Sequence, residues 1–247
     1  MIEKEYAKRV LEELLSFPIE DSSKVIERFA SLPNAIYHSD KEKRNFVYVP
    51  GKRKDRALLI AHADTVWDKM YFDNDNIGQA LTFENGVYSG TKKDFGIGAD
   101  DRAGCAILWL LKDMGHSLLI TDGEETGRIG AFHIKEQYPE IFKELNQHSY
   151  MVQLDRRNAS DYKCYRLPVT KEFKDFIEKE TNYTDAGVTA FTDIVTLCSE
   201  ICGVNLSVGY YNEHSSSEIL IFDEWYHTLE VVFNMLNKEQ KRFPLDI

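Results

Sequence analysis

Four short apolar runs, each followed within a few residues by acids or a histidine, limit what this chain can fold into. Leu58-Leu59-Ile60-Ala61 leads into His62 and Asp64, and Leu118-Leu119-Ile120 into Thr121-Asp122-Gly123-Glu124-Glu125. Met151-Val152-Gln153-Leu154 leads into Asp155, and Leu206-Ser207-Val208-Gly209 into Glu213-His214. Runs this short, without polar alternation, fit strands buried on both faces. A fifth cluster, Gly96-Ile97-Gly98-Ala99-Asp100-Asp101, stands just before a helical pattern.

Helical periods separate these strands. Residues 3–16 place Tyr6, Val10, Leu11 and Leu14 on one face, and Ser22 or Ser23 is positioned to cap a second helix ending near residue 32. The pattern predicts further helices over 101–114, 130–137, 170–180, 193–201 and 218–236, and one after Pro139. Additional strands are expected at 34–38, 45–50, 80–84 and 86–89. Alternation of buried strands with helices predicts a three-layer α/β/α sandwich around a mixed, largely parallel sheet. Ligands of such sheets sit beyond the carboxyl ends of the strands, which is where the acids and imidazoles fall.

With 247 residues, 43% of them hydrophobic, the chain can bury a sizeable core. Its net charge of −11 argues against general binding of nucleic acid or anionic membranes. No apolar run reaches the roughly 18–20 residues that span a bilayer, and the charged start Met1-Ile2-Glu3-Lys4-Glu5 does not read as a secretory signal. Cys105, Cys164, Cys198 and Cys202 are too few and too scattered for a disulfide framework and read as core residues. A cytoplasmic protein is expected.

Taken singly, each polar cluster has an ordinary explanation. Asp100-Asp101 would cap a helix, and Glu124-Glu125 would be loop charge. Five clusters on one edge are harder to explain so, because converging carboxylates repel one another unless a cation neutralises them. Imidazole with carboxylate and no cysteine suits zinc, cobalt or manganese.

The ordered motifs His62-Ala63-Asp64, Gly98-Ala99-Asp100-Asp101-Arg102-Ala103-Gly104, Asp122-Gly123-Glu124-Glu125-Thr126-Gly127, Asp155, Thr192-Asp193 and His214-Ser215-Ser216-Ser217-Glu218 resemble those of the co-catalytic zinc exopeptidases. That group spans aminopeptidases, peptidase T and carboxypeptidase or deacylase relatives, and the resemblance covers about residues 57–236. It implies two divalent metal ions, zinc in the first instance: His62 and Asp155 on one, Glu125 and His214 on the other, and Asp100 between them. It places Glu124 as general base and Asp64 as the acid behind His62. It also implies a cis peptide bond after Asp100.

The chemistry is consistent with these roles. Two ions roughly 3.5–4 Å apart can share a water whose proton a glutamate accepts and passes to the leaving amine. An acid two residues beyond a histidine can accept its far N–H and fix the tautomer.

Only 37 residues separate His62 from Asp100, and 58 separate Asp155 from His214, leaving no room at either point for the lid or dimerisation domain that many relatives insert. A single catalytic domain over residues 1–247 is expected.

The leading expectation is an aminopeptidase acting on a peptide or small amide, with neither nucleic acid nor membrane as partner. A carboxypeptidase or N-acyl amino acid deacylase would use the same residues, and a non-catalytic metal-stabilised binding protein is a third reading, against which the presence of Glu124 speaks. No Gly-x-Ser-x-Gly elbow or phosphate-cradling Gly-x-x-x-x-Gly-Lys-Ser/Thr motif supports another chemistry. Thr192, Asp193, Tyr210, Tyr211, Arg156 and Arg157 stand open between structural and substrate roles, and the sequence assigns no oligomeric state. His38, His116, His133, His148 and His227 lie off the strand ends and read as structural or surface residues.

Overall fold

The four apolar runs lie in one eight-stranded sheet, with helices on both faces. The computed structural model describes residues 2–68, 81–92 and 94–247. The sheet is assembled from β1 (Ile36–His38), β2 (Phe46–Val49), β3 (Leu58–His62), β6 (Ser117–Thr121), β7 (Met151–Arg156), β8 (Asp161–Lys163), β9 (Thr184–Asp185) and β10 (Gly203–Ser207). Its order is β1-β2-β6-β3-β7-β10-β8-β9. The central pairs β6–β3, β3–β7 and β7–β10 and the edge pair β8–β9 are parallel, and the pairs β1–β2, β2–β6 and β10–β8 are antiparallel. The fold is therefore the expected α/β/α sandwich with a mixed, largely parallel sheet.

Register explains why the polar residues meet. His62 stands opposite Thr121, and Leu58 and Gly203 both stand opposite Met151. The four parallel strands thus end at one level, and the residues just past each strand enter one crevice.

A smaller antiparallel sheet stands beside it, in the order β11-β12-β5-β4. It contains β4 (Leu81–Glu84), β5 (Val87–Gly90), β11 (Tyr210–Tyr211) and β12 (Ile219–Ile221). The segment after β5 carries Asp100, and the turn between β11 and β12 carries His214, so this sheet sets both against the main one.

Of the helices, α3 (Ala99–Leu111) packs on β3 and β7 and is covered by α1 (Lys4–Leu15) and α8 (Phe222–Leu236). The side chain of Trp225 donates to the Ala103 carbonyl at 3.0 Å, pinning α8 to α3. Being covered this way, α3 has almost no polar face. On the other side, α7 (Asp193–Leu197) packs on β7 and β10 and meets α4 (Ile129–Gln137), which reaches β2. The short helices α2 (Ser23–Ala30) and α5 (Pro139–Leu145) and the longer α6 (Lys171–Thr181) complete the layers. Thr170 caps α6 by accepting from the Phe173 amide at 3.2 Å.

The structure corrects several expectations. Residues 218–221 do not begin the last helix: Ile219–Ile221 pair with β5, and the helix starts at Phe222. The helix expected over 193–201 stops at Leu197, because Cys198 is already extended. Tyr6 is exposed, and Ala7 and Leu15 complete the buried face of α1. Ser22 occupies the cap position of α2, but its hydroxyl donates to Asp122 Oδ2 at 3.0 Å instead of capping. The helix expected over 101–114 is entered through a kink, with Asp100 (φ −81°, ψ 100°) and Asp101 (φ −120°, ψ 42°) non-helical, and its last turn is a 3-10 turn over Lys112–Met114. All four cysteines are buried and free. No helix among the described residues is long and apolar enough to cross a membrane.

Candidate metal centre

His62 ends β3 fully buried, so each ring nitrogen must be satisfied inside the protein. Its Nδ1 lies 3.1 Å from the Asp64 carbonyl oxygen and 3.3 Å from Asp64 Oδ1. A carbonyl can only accept, so Nδ1 carries a proton and donates it. In the neutral ring, Nε2 then keeps its lone pair. That lone pair faces two acids, 3.0 Å from Asp100 Oδ1 and 3.3 Å from Asp155 Oδ1.

His214 repeats the arrangement from the opposite side. Its Nε2 lies 3.2 Å from Asp100 Oδ2 and 2.9 Å from Glu125 Oε1. Its backbone is left-handed, with φ 59°, a conformation few non-glycine residues adopt. Asp100 thus lies between the two imidazoles with one oxygen toward each, and each imidazole has a further carboxylate of its own.

Asp100 is placed by the start of α3. Gly98 opens the helix in the left-handed region at φ 62°, and the Asp100–Asp101 peptide is cis, as the resemblance implied. Glu218, buried just before β12, accepts from the amides of Ile97 at 2.7 Å, Gly98 at 2.8 Å and Asp100 at 3.1 Å. Asp101 faces the other way. Its carboxylate accepts from the His62 amide at 3.1 Å and the Gly104 amide at 2.9 Å, so it ties α3 to β3. A Cβ at Gly104 would collide with the Leu154 carbonyl and the Asp101 carboxylate, which is why glycine stands there.

Asp64 positions two elements at once. Besides meeting His62, its oxygens accept from the Glu124 and Glu125 amides, both at 3.1 Å. Asp155 is held by Gln153 Nε2 at 2.9 Å, Thr192 Oγ1 at 2.8 Å and Tyr210 Oη at 3.4 Å. Thr192 and Tyr210 therefore serve Asp155. Tyr211 instead donates to Glu224 at 2.6 Å. Asp193 is fully buried and accepts from the Thr121 hydroxyl. Arg156 forks onto Asp161, and Arg157 pairs with Glu213.

The structure thus brings His62, Asp100, Glu125, Asp155 and His214 together at their donor atoms, with Asp64 behind them. Glu124 lines the same open cleft as Asp100, Glu125, Asp155 and His214. Three other histidines bond elsewhere: His38 meets Asp40 at 3.0 Å, His116 accepts from the Ala57 amide at 3.0 Å, and His148 meets the Ser117 hydroxyl at 2.7 Å. The sequence assigns no separate role to Glu218, Asp101, Gln153 or Asn205. Gln153 and Asn205 do leave a signal, each being a lone polar residue inside a buried strand, where a partner is obligatory.

Burial and mutual repulsion shift the charges of the site. Burial pushes Glu124 well above the usual carboxylate range, and Asp155, Asp193 and Glu125 add to this by repulsion. Burial, with Asp100 beside it, raises Glu125 to about 7. Burial raises Asp155 as well. Burial lowers the pKa of His62, but Asp155, Asp100 and Asp64 outweigh it and hold the ring well above its ordinary value. The carboxylates of Asp100 and Glu125 beside its ring carry His214 to about 11. Burial opposes ionisation of Asp100, yet the two imidazoles hold it below the ordinary carboxylate value.

These donors fit divalent cations. With Nδ1 donating to Asp64, a neutral His62 leaves Nε2, Asp100 Oδ1 and Asp155 Oδ1 as facing lone pairs, which one cation can take together. Glu125 Oε1 is buried without a hydrogen bond of acceptable geometry, although His214 Nε2 is 2.9 Å away. Donor atoms of His62, Asp100 and Glu125 lie within 4.8 Å of one another, as do those of His62, Asp101 and Asp155. In the second group Asp101 is already engaged by two backbone amides, which favours Asp100 as the shared carboxylate.

No protein-family profile and no curated protein matches the chain. Solved structures do match. The aminopeptidase PepT of Bacillus cereus aligns at TM-score 0.68 and 14% identity, over 96% of this chain and 98% of that one. A tripeptidase of Staphylococcus aureus aligns at TM-score 0.66 and 13% identity, over 96% and 98%. The TET1 peptidase of Pyrococcus horikoshii aligns at TM-score 0.61 and 12% identity, over 93% and 99%. The chain has the fold of these peptidases.

Proposed function

We propose that this chain is a catalytic domain that hydrolyses a terminal peptide bond with two divalent metal ions, zinc in the first instance, and that it acts as an aminopeptidase. The observation that carries the reading is the position of Asp100. It shares one carboxylate between two histidines, each with a separate acid, which is the donor set of a paired-metal site. Peptidases of the same fold support the choice of reaction.

In this reading His62 and Asp155 would hold one ion, Glu125 and His214 the other, and Asp100 would serve both. When bound, the ions would polarise the scissile carbonyl and make a water more acidic. Glu124 takes a proton from the attacking water. The water oxygen bonds to the carbonyl carbon, the C–N bond breaks, and Glu124 returns the proton to the departing amine nitrogen. Glu124 must start ionised, and nearby positive charge favours that form. Asp64 keeps the His62 tautomer and fixes the backbone of both glutamates.

The test combines metal analysis of the purified protein with aminoacyl, carboxy-terminal and N-acyl substrates, assayed with chelator and with added zinc, cobalt or manganese. Chelator-sensitive release of N-terminal residues is expected. Activity confined to N-acyl compounds would reject the aminopeptidase choice, and metal-independent or absent hydrolysis would reject the site.

A further inference from the structure

Three cations, Arg156, Arg157 and Lys163, line the cleft that holds the acids described above. Two of them are engaged by carboxylates. Arg156 gives Nε and one terminal nitrogen to Asp161, at 2.8 and 3.0 Å, and Arg157 gives a terminal nitrogen to Glu213 at 2.7 Å. Lys163 differs. It ends β8 with only 8% of its surface exposed, and its ammonium donates to the Thr189 carbonyl at 3.0 Å and the Thr189 hydroxyl at 3.1 Å.

Both of those acceptors are neutral. The nearby acids are taken: Asp161 by Arg156, and Asp185 by Lys174 at 2.7 Å. An ammonium has three N–H donors, so one remains after Thr189. A charge this buried without a bonded counter-ion is costly, and an incoming anion would offset that cost. Tyr165 and Phe191 line the same cleft and give the rest of a ligand apolar surface.

We propose that Lys163 anchors a carboxylate of the substrate, separate from the bond that is cut. The cleft would then select short peptides whose free C-terminus or acidic side chain reaches this ammonium. The inference rests on the peptidase reading above for the word substrate; the anion subsite is tested without it.

The test uses pseudo-tripeptides whose first amide is reduced to a methyleneamine, so that they cannot be hydrolysed. Binding to the zinc-loaded protein is measured by calorimetry. One pair compares Ala-Ala-Ala with its C-terminal amide, and the other compares Glu-Ala-Ala amide with Gln-Ala-Ala amide. At least one carboxylate should bind about tenfold tighter than its neutral partner, the size expected of a charge-assisted hydrogen bond. The pair that shows the preference identifies which carboxylate Lys163 takes. Lys163→Met should bind both members of that pair alike, at the affinity of the neutral probe for wild type, and Lys163→Arg should keep part of the preference.

Equal binding within both pairs by wild type would overturn the proposal, whether or not the variants fold. So would a preference that persists in Lys163→Met. Because no probe is cleaved, failure of the protein to hydrolyse ordinary peptides would count against the peptidase reading and leave this comparison intact.

Discussion

The two oxygens of Asp100 face different histidines, Oδ1 lying 3.0 Å from His62 Nε2 and Oδ2 3.2 Å from His214 Nε2. The imidazoles come from distant parts of the chain, one ending a central strand of the main sheet and the other in a turn of the small sheet. One carboxylate therefore couples the two halves of the site. Asparagine at this position keeps the shape but offers one oxygen and one N–H₂, so it can serve only one histidine as an acceptor. Asp100→Asn should lower zinc affinity by more than about tenfold, read by chelator competition, and lower turnover with it. Unchanged zinc binding would show that Asp100 is not shared.

Asp64 acts through backbone. Its carboxylate accepts from the Glu124 and Glu125 amides while its residue holds His62 Nδ1. In Asp64→Asn an amide N–H₂ must confront one of those N–H groups. The buried mismatch should cost about 1–3 kcal/mol of stability in denaturant titrations. It should also weaken zinc binding by about 10–100-fold, as the loss of a partner behind a metal-ligating histidine does. A variant with wild-type stability and wild-type zinc affinity would remove Asp64 from the site's framework.

Glu124→Gln separates metal binding from turnover. The amide preserves size and cannot accept the water proton. Zinc content should stay at the wild-type level, while kcat falls by about 10²–10⁴-fold, the usual contribution of a positioned base. Persistent activity would assign the base elsewhere.

Much of this architecture is written in local patterns. His62, Asp155 and His214 come after short apolar runs, and a parallel sheet aligns the ends of such runs, so their meeting is legible in the sequence. Asp100 is legible through the glycines around it and the family motif. The features that escape depend on pairing across space. Ile219–Ile221 reads as the first turn of a helix until β5 offers it a ladder. Cys198 and Cys202 share a helical spacing, but the chain turns extended at Cys198 to enter β10. Glu218 stands inside a family motif, yet its role is to collect three amides from a segment about 120 residues earlier. Lys163 gives no local signal, because it is set apart by the lack of a bonded carboxylate once Asp161 and Asp185 are engaged elsewhere.

The buried acids also fix how the metal-free protein should respond to pH. Burial raises Glu218 to about 8, and Glu125 and Asp193 to about 7, all above their ordinary carboxylate values. Between those ordinary values and pH 7–8 the folded chain holds protons that the unfolded chain has released. The associated stability is full below the unfolded pKa and is lost as pH rises through 7–8. His214, raised to about 11, works in the same direction. Asp100 and Asp64, both lowered, contribute stability that is lost instead as pH falls below the ordinary carboxylate value. In chelator the melting temperature should therefore peak in mild acid and decline from pH 6 to 8. Zinc requires the deprotonated ligands, so its stabilisation should grow across the same interval. Glu218→Gln removes one of the titrating groups while keeping every proposed ligand side chain, although it alters the acceptor of the Asp100 amide, and its metal-free melting temperature should decline less steeply from pH 6 to 8 than that of wild type. A metal-free wild type whose melting temperature rises over that interval would show that these carboxyls are ionised in the folded chain, and that the site does not depend on cations to neutralise it.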